Sequence, residues 1–268
     1  MKQMIIATNC PKGGVGKTTL AKELATSYAL TEIDGRKPNV CVVDANVHFG
    51  DINSMLKLAP SIGMEKFADR IIEEKAYNNS YPYPFEILDD YLVQHGLGIY
   101  VLSAPNSPEG ASKINYDVMH AIIRNLKAYF DIIILDTGNN TDDCTVACFE
   151  EANKILIIVT DETTSINCAV SLFNMFPKIG ISMDKIEIVV NKYAIERNNR
   201  CFSIEEIEEV MGGVYATVSY HEKMGNINSS GIPAVMGKDC PFKKDLLKLA
   251  KKLVPEFDEK SFRRNNMT

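Results

Sequence analysis

The chain alternates between short apolar runs and longer stretches in which apolar positions recur with a helical period. The apolar runs are rich in isoleucine and valine and end in polar or small residues. Runs of this kind predict strands that are buried on both faces, as in a parallel sheet. The predicted strands are 4–8, 40–44, 98–102, 132–136, 155–160, 186–191 and 214–218.

The stretches between these runs predict helices. Ser203 is followed three positions later by Glu206, the pattern of a capping box at a helix start. Because strands and helices alternate, the sequence predicts an α/β fold, a doubly wound and mostly parallel sheet flanked by helices. No linker or repeat interrupts the pattern, so we expect a single domain over residues 1–268. The predicted helices lie near 17–30, 64–75, 116–129, 143–152, 163–176 and 203–211.

Residues 76–91 are the least regular part of the chain. They combine four tyrosines and a phenylalanine with two prolines. The prolines and the neighbouring asparagines predict a loop. Its rings either pack onto the protein body, which we favour, or anchor a partner.

The stretch 242–254 predicts a basic amphipathic helix. Leucines and Phe242 fall on one face, and five lysines lie elsewhere. Such a helix either closes the core beside the sheet, which we favour, or lies on an anionic membrane.

Composition narrows the function classes. The apolar share of 46%, the charged share of 24% and the length of 268 residues are those of an ordinary globular protein. A net charge of −6 argues against a broad nucleic-acid surface. Seven scattered cysteines indicate a reducing compartment, and we interpret Cys144 and Cys148 as core thiols rather than half a metal site. With no signal peptide or membrane-length apolar run, we expect a cytoplasmic protein.

The most specific motif is the octapeptide at residues 12–19, which reads Lys-Gly-Gly-Val-Gly-Lys-Thr-Thr. Glycines let backbone N–H groups converge on phosphate oxygens, Lys17 reaches the β- and γ-phosphates, and the Thr18 hydroxyl binds Mg²⁺. A predicted strand precedes the loop and a predicted helix follows it, so the phosphates would meet a helix N-terminus. The predicted nucleotide-binding residues of the loop are Lys12, Gly13, Gly14, Val15, Gly16, Lys17, Thr18 and Thr19.

Polar side chains at the ends of other predicted strands should meet this loop. Asp136 ends an apolar strand and is a candidate Mg²⁺ ligand together with Thr18. Asp44 ends another strand, where its carboxylate is a third candidate metal ligand and a candidate for orienting the attacking water. Asn191 and Lys192 close a further strand, and the amide is a candidate for reading the adenine edge.

The loop at 12–19 resembles the deviant phosphate loop of the MinD/ParA family of dimerising ATPases. The likeness covers nearly all of residues 4–254. Within that family, the chain most resembles the CpaE/TadZ branch. Residues 48–52 read His-Phe-Gly-Asp-Ile and resemble that branch's Gln-Phe-Gly-Asp-Val. Residues 102–109 read Leu-Ser-Ala-Pro-Asn-Ser-Pro-Glu and resemble its Ala-Ala-Pro-x-Ser-Pro-Glu.

The resemblance implies ATP and Mg²⁺ as cofactors and a homodimer formed with ATP, in which Lys12 crosses to the partner's nucleotide. The branch implies a role in localising or assembling a type IV or Flp/Tad pilus. Its expected partners are pilus or secretion proteins, with indirect membrane contact and recruitment to the cell pole. The candidate catalytic residues are Lys12, Lys17, Asp44 and Asn46. Nucleic acid is a disfavoured partner, although a ParA-like DNA-segregation ATPase is the alternative.

The departures from the family pattern are also informative. Asn46 stands where the family usually has an aspartate that assists hydrolysis, and an amide cannot accept a proton as a carboxylate can. Residues 137–140 read Thr-Gly-Asn-Asn, where the family commonly has prolines. We therefore expect ATP binding with slow hydrolysis. Many branch members carry an N-terminal receiver-like domain, which we do not expect here because the loop lies so close to Met1.

Overall fold

The strands of the sheet follow the predicted apolar runs. The computed structural model describes residues 2–60, 62–78, 82–194 and 202–265. Within those residues the strands are β1 (Met4–Asn9), β2 (Val40–Ala45), β3 (Val93–Gln94), β4 (Ile99–Leu102), β5 (Ile132–Thr137), β6 (Lys154–Val159), β7 (Ile186–Tyr193) and β8 (Ala216–Ser219). They form a sheet in the order β3-β4-β2-β5-β1-β6-β7-β8, in which all neighbours are parallel except β3 and β4.

Helices occupy most of the connections between these strands. The described helices are α1 (Lys17–Ala29), α2 (Ile52–Leu56), α3 (Met64–Glu73), α4 (Phe85–Asp89), α5 (Pro108–Ala111), α6 (Tyr116–Lys127), α7 (Asp143–Glu151), α8 (Thr163–Met175), α9 (Ile204–Met211), α10 (Met224–Ser230), α11 (Pro241–Leu253) and α12 (Glu259–Asn265). No described helix combines the length and the apolar character that crossing a bilayer requires.

The core lies in two layers, one on each face of the sheet. Successive strand residues point to opposite faces, so Ile5 and Ile133 join one layer while Ile6 and Ile134 join the other. The first layer is covered by α3, α6, α7 and α8, and the second by α1 and α11. This is the predicted doubly wound α/β architecture.

The seven predicted strands are confirmed, and the structure adds a short edge strand, β3. The last predicted strand begins two residues later than expected, at Ala216. The capping box is confirmed, because the Ser203 side chain accepts from the Glu206 N–H while the Glu206 side chain accepts from the Ser203 N–H.

The segment 76–91 is not a plain loop. It contains a short 3₁₀ turn at Ala76–Asn78 and the helix α4, so the prediction of a loop throughout was wrong. The rings pack onto the body: Phe67 stacks on Tyr91 at 4.9 Å between ring centroids and meets Tyr83 edge-on at 5.8 Å. The favoured interpretation is confirmed for these rings, while Tyr81 lies outside the described residues.

The C-terminal basic helix is part of the core. In α11 the side chains of Phe242, Leu246 and Leu249 are buried, whereas Lys244 and Lys248 are exposed. The Tyr28 hydroxyl of α1 donates to the Ala250 carbonyl at 3.0 Å. The favoured core-packing interpretation is confirmed.

Candidate nucleotide-binding site

A cavity of about 630 Å³ opens at the carboxyl ends of the central strands. In a parallel sheet, this edge is where loops from neighbouring strands meet and ligands bind. Its walls are the glycine-rich loop, the segments after β2 and β5, and residues 220–228 on the far side. The described structure therefore brings together the strand ends that the sequence predicted to converge.

The glycine-rich loop is held in shape by the end of β7. Gly16 has a φ of 99°, which favours glycine, and a Cβ at this position would collide with the Asn191 amide. The Asn191 amide donates to the Val15 carbonyl at 2.8 Å, and Lys192 Nζ donates to the Gly14 carbonyl at 2.6 Å. Both residues thus support the loop, and the predicted adenine-reading role of Asn191 stays a prediction.

Lys17 begins α1 and lies at the base of the cavity. It is only 8% exposed, and its Nζ donates to Asn139 Oδ1. Burial lowers the pKa of Lys17, while the Asp136 carboxylate opposes that shift. A buried ammonium group in this position is suited to receive an anionic ligand.

Asp136 is buried beneath the loop on β5. Its Oδ1 accepts from the Thr8 hydroxyl at 3.0 Å. Burial raises the pKa of Asp136 to about 6, against hydrogen bonds from the Thr18 and Thr8 hydroxyls and the charge of Lys17. Thr18 and Asp136 are therefore in contact, as the predicted metal site requires.

Asp44 lies beside Asp136, because the two residues are register partners on β2 and β5. Asp44 Oδ2 accepts from the Ile52 N–H at 3.1 Å, whereas its buried Oδ1 has no hydrogen-bond partner. Burial, together with the charge of Asp136, raises the pKa of Asp44 well above its usual value. Paired buried carboxylates with an unpartnered oxygen fit a divalent cation.

The Mg²⁺ site would draw on more than carboxylates. Among the described residues, no group of three or more histidine, cysteine, aspartate or glutamate side chains is placed to hold a metal. The Thr18 hydroxyl, Asp136 and Asp44 would therefore act with phosphate oxygens and water, which is how Mg²⁺ is commonly held beside nucleotides. The residues present fit this arrangement.

Asn46 lines the cavity on the loop that follows β2. Its Nδ2 donates to the Phe49 carbonyl at 2.6 Å, which turns the amide oxygen towards Gly138. Phe49 itself is 79% exposed. The position is right for a group that contacts a bound nucleotide, while its effect on hydrolysis stays a prediction.

Lys12 stands apart from the other loop residues. It does not line the cavity, and its Nζ forms an ion pair with Glu162, the residue that immediately precedes α8. Its side chain is 28% exposed. The structure thus places Lys12 on the rim rather than in the cavity.

The predicted site residues fall into two groups. Those that line the main cavity are Gly13, Gly14, Gly16, Lys17, Thr18, Thr19, Asn46 and Lys192. Those that lie beneath or beside it are Lys12, Val15, Asp44, Asp136 and Asn191. Asn191 lines a smaller adjoining pocket with Tyr220, His221 and Phe242.

Asn139 and Asn228 are among the cavity residues that the sequence did not predict. Asn139 stood out only as a departure from the prolines of the family. Asn228 lies on α10, where its Nδ2 donates to the Thr19 hydroxyl at 2.9 Å. The sequence around Asn228 is polar and carries no signal of a site.

Asn228 also begins a buried polar network. Its Oδ1 accepts from Lys22 Nζ at 2.9 Å, and Lys22 lies 3.0 Å from Glu23 Oε1, with both side chains fully buried. The Glu23 carboxylate accepts from the N–H groups of Ala234 and Val235 at 2.8 and 3.0 Å. The network ties α1 to the chain that follows α10.

A glycine-rich loop at a helix start, a lysine at its base and carboxylates at adjacent strand ends define the class of P-loop nucleoside triphosphatases (NTPases). Comparison with known proteins extends this class assignment. A family model described as ParA, NUBPL iron-transfer P-loop NTPase, matches residues 1–253. The chain therefore belongs to the ParA family of P-loop NTPases and, more broadly, to the MinD/ParA superfamily.

Known relatives agree with the family assignment. The septum site-determining protein MinD of Thermotoga maritima is 24% identical over 93% of this chain and 87% of its own. A ParA family ATPase from Chlorobium tepidum superposes with a TM-score of 0.80 at 20% identity, covering 93% of this chain and 98% of its own. MinD from Pyrococcus horikoshii, in complex with Mg-ADP, superposes with a TM-score of 0.75 at 19% identity, covering 94% of this chain and 96% of its own. The two structures show that the fold is shared.

Proposed function

We propose that this P-loop ATPase uses ATP to join two copies face to face, that it hydrolyses ATP slowly, and that it acts in pilus localisation or assembly as a CpaE/TadZ-type protein. The observation that carries the dimer proposal is the position of the two loop lysines. Lys17 lies at the base of the cavity, whereas Lys12 lies on its rim. The two lysines of one loop thus lie in different places, so that only Lys12 is positioned to reach a second copy of the chain.

The residues of the cavity divide the chemistry. Bound Mg²⁺ would neutralise charge on the phosphates. Lys17 and the N–H groups of the loop bind phosphate oxygens, and Asp136 orients the Thr18 hydroxyl. Asn46 can donate and accept hydrogen bonds but cannot take a proton from water as a carboxylate does, which supports slow turnover.

A second copy of this chain is the proposed partner at the cavity mouth. Phe49 is 79% exposed and lines the cavity beside Asn46, so an apolar side chain already stands at the rim. Lys12 is held there by an exposed ion pair, which is worth at most about 1 kcal/mol and can be exchanged for a phosphate contact. Both features favour an interface that includes the rim.

Light scattering with and without Mg·ATP tests the dimer. We expect the wild type to double in mass with ATP but not with ADP. Lys12→Ala should remain monomeric while its affinity for ATP changes little. Lys66→Ala, which removes an exposed lysine from α3, is the matched control and should dimerise normally. A Lys12→Ala dimer formed with ATP would contradict a crossing role for this lysine.

The pilus role rests on the likeness at residues 48–52 and 102–109. Deletion of the gene in its own host, followed by counting of surface pili, tests it. We expect loss of pili or of their polar placement, with rescue by the wild type and no rescue by Lys12→Ala. Normal pili in the deletion strain would contradict the proposal.

The alternative is ATP-dependent DNA binding of the ParA kind. The exposed lysines of α11, among them Lys244 and Lys248, are the observation that favours it. ATP-dependent retention of duplex DNA that weakens steeply with salt would favour this alternative over the pilus role.

A further inference from the structure

Asn139 has an unusual place among the cavity residues. It lies between β5 and α7 and is exposed at the cavity mouth. Its Oδ1 accepts from Lys17 Nζ, and its Nδ2 lies 3.4 Å from the point where a Cβ on Gly13 would be. One carboxamide therefore reaches from the base of the glycine-rich loop to its start.

The contact with Lys17 is more than an incidental surface hydrogen bond. Lys17 is 8% exposed, so its ammonium group has little access to water and needs an acceptor from the protein or from a ligand. In phosphate-binding loops the acceptors of this lysine are oxygens of the β- and γ-phosphates. Asn139 Oδ1 therefore occupies the place of a phosphate oxygen on Lys17.

We propose that Asn139 competes with the nucleotide for Lys17: its Oδ1 occupies the ammonium group until an oxygen of the β-phosphate replaces it. The inference rests on the proposed function, since it takes the ligand to be a nucleoside di- or triphosphate. Release of Lys17 frees the Asn139 carboxamide for another partner.

The chain is anchored on both sides of Asn139. Before Asn139, the Thr137 hydroxyl donates to the Thr8 carbonyl at 2.8 Å, and the Asn9 amide donates to the Gly138 carbonyl at 3.1 Å. After Asn139, the Asp142 carboxylate accepts from the Thr145 N–H at 2.9 Å and caps α7. The segment that contains Asn139 is therefore tied to β1 at one end and to α7 at the other.

Calorimetric titration with Mg·ADP and with inorganic pyrophosphate tests the proposal. Asn139→Ala removes the competing acceptor, so both probes should bind about fivefold more tightly than to the wild type. Asn140→Ala is the matched control, because Asn140 is the next residue, is also exposed and lines the same cavity. It should bind both probes as the wild type does.

A second pair of variants tests the same contact in the other direction. Asn139→Asp gives Lys17 a charged partner, so both probes should bind at least about tenfold more weakly. Asn140→Asp adds the same charge one residue away and should have a smaller effect. Equal behaviour of the 139 and 140 variants would overturn the proposal.

The outcomes also separate this inference from the proposed function. If the wild type binds ADP while Asn139→Ala binds it equally or more weakly, Asn139 is not a competitor, and the inference alone fails. If the folded wild type binds neither probe, the nucleotide site itself is wrong, and both fail. Tighter binding of ADP without tighter binding of pyrophosphate would place the effect outside the phosphate contact and would also overturn the inference.

Discussion

At position 46 an amide stands where the resembled family usually has a carboxylate. The Asn46 side chain is fixed by its hydrogen bond to the Phe49 carbonyl and faces Gly138. We expect Asn46→Asp to raise the rate of Mg·ATP hydrolysis at least about tenfold, because a carboxylate can orient and deprotonate the attacking water. Steady-state phosphate release beside the wild type measures this.

Asn140→Asp is the control for the Asn46 experiment, since it adds the same charge to the same cavity. It should leave the rate near that of the wild type. Fast ATP hydrolysis by the wild type, unchanged in Asn46→Asp, would show that another group orients the water. The rate of hydrolysis would then not depend on position 46.

The positions of site residues were predictable where one short motif contains them. Lys17 and Thr18 follow from the loop itself, and the site has them where expected. The partners Asn139 and Glu162 were not predictable, because each reaches its lysine across more than a hundred residues of chain. A motif specifies which groups are needed, but tertiary packing decides what they touch before the ligand arrives.

At the scale of elements, α6 and α7 are joined by a pH-dependent contact. His120 lies 2.9 Å from both Glu150 and Glu151, and the hydrogen bond to Glu151 raises the pKa of His120. The stability that a raised histidine pKa contributes is fully present below the pKa of the unfolded state, 6.5. It is lost as the pH rises through the pKa of the folded state. The contribution of Glu151 to stability persists down to low pH, because the hydrogen bond to His120 lowers the pKa of Glu151 to about 2.

We therefore expect the wild type to exceed His120→Gln in unfolding free energy most at about pH 6 and least at about pH 9. Urea unfolding across this range measures the difference. His95→Gln is the control with the opposite sign, because burial lowers the pKa of His95 and its neutral form is the stabilised one. A His120→Gln difference that does not change with pH would contradict the linkage.

The second element-scale prediction concerns the buried Lys22–Glu23 pair of α1. Lys22→Met leaves the Glu23 carboxylate buried without its countercharge, so we expect a loss of about 3 kcal/mol in unfolding free energy. Lys66→Met, at a lysine whose side chain is 60% exposed in α3, should cost less than about 1 kcal/mol. Equal losses in urea unfolding would show that the buried pair is not a stabilising unit.

Helices and strands were predictable where their burial produces a recognisable hydrophobic pattern in the sequence. Continuous apolar runs identified the interior strands, because both faces of those strands are covered. The edge strand β3 has two residues, neither of them buried, and so leaves no apolar run. Helix α10 reads Met-Gly-Asn-Ile-Asn-Ser-Ser and is held by its contacts rather than by helix propensity, so no sequence signal marked it.

At the scale of the whole molecule, Mg²⁺ should decide how strongly ATP stabilises the fold. A ligand at a hundred times its dissociation constant adds about 2.7 kcal/mol, which raises Tm by about 5 °C or more in a chain of this size. Without the cation, the carboxylates Asp44 and Asp136 face the triphosphate directly, so a chelator should remove most of that rise. Thermal unfolding of the wild type beside Lys17→Ala, which should show no rise, measures this.

A Tm that rises equally with and without chelator would contradict a role for the carboxylates in holding a cation.

The convergence of strand ends that underlies this site was predictable from the βαβ alternation alone. The far wall of the cavity at residues 220–228 was not, because its polar chain follows the last strand and folds back over the opening only in three dimensions.

The two edge strands of the sheet are short. Its edge strands in the described structure, β3 and β8, have two and four residues, while the long parallel strands lie inside. Short edges offer few free backbone groups, so neither side invites another chain to extend the sheet. Two copies that meet would do so through loops or helices rather than by extending the sheet, along an interface without continuous backbone hydrogen bonding. Such an interface can open when its ligand leaves, which is compatible with the proposed ATP-dependent dimer.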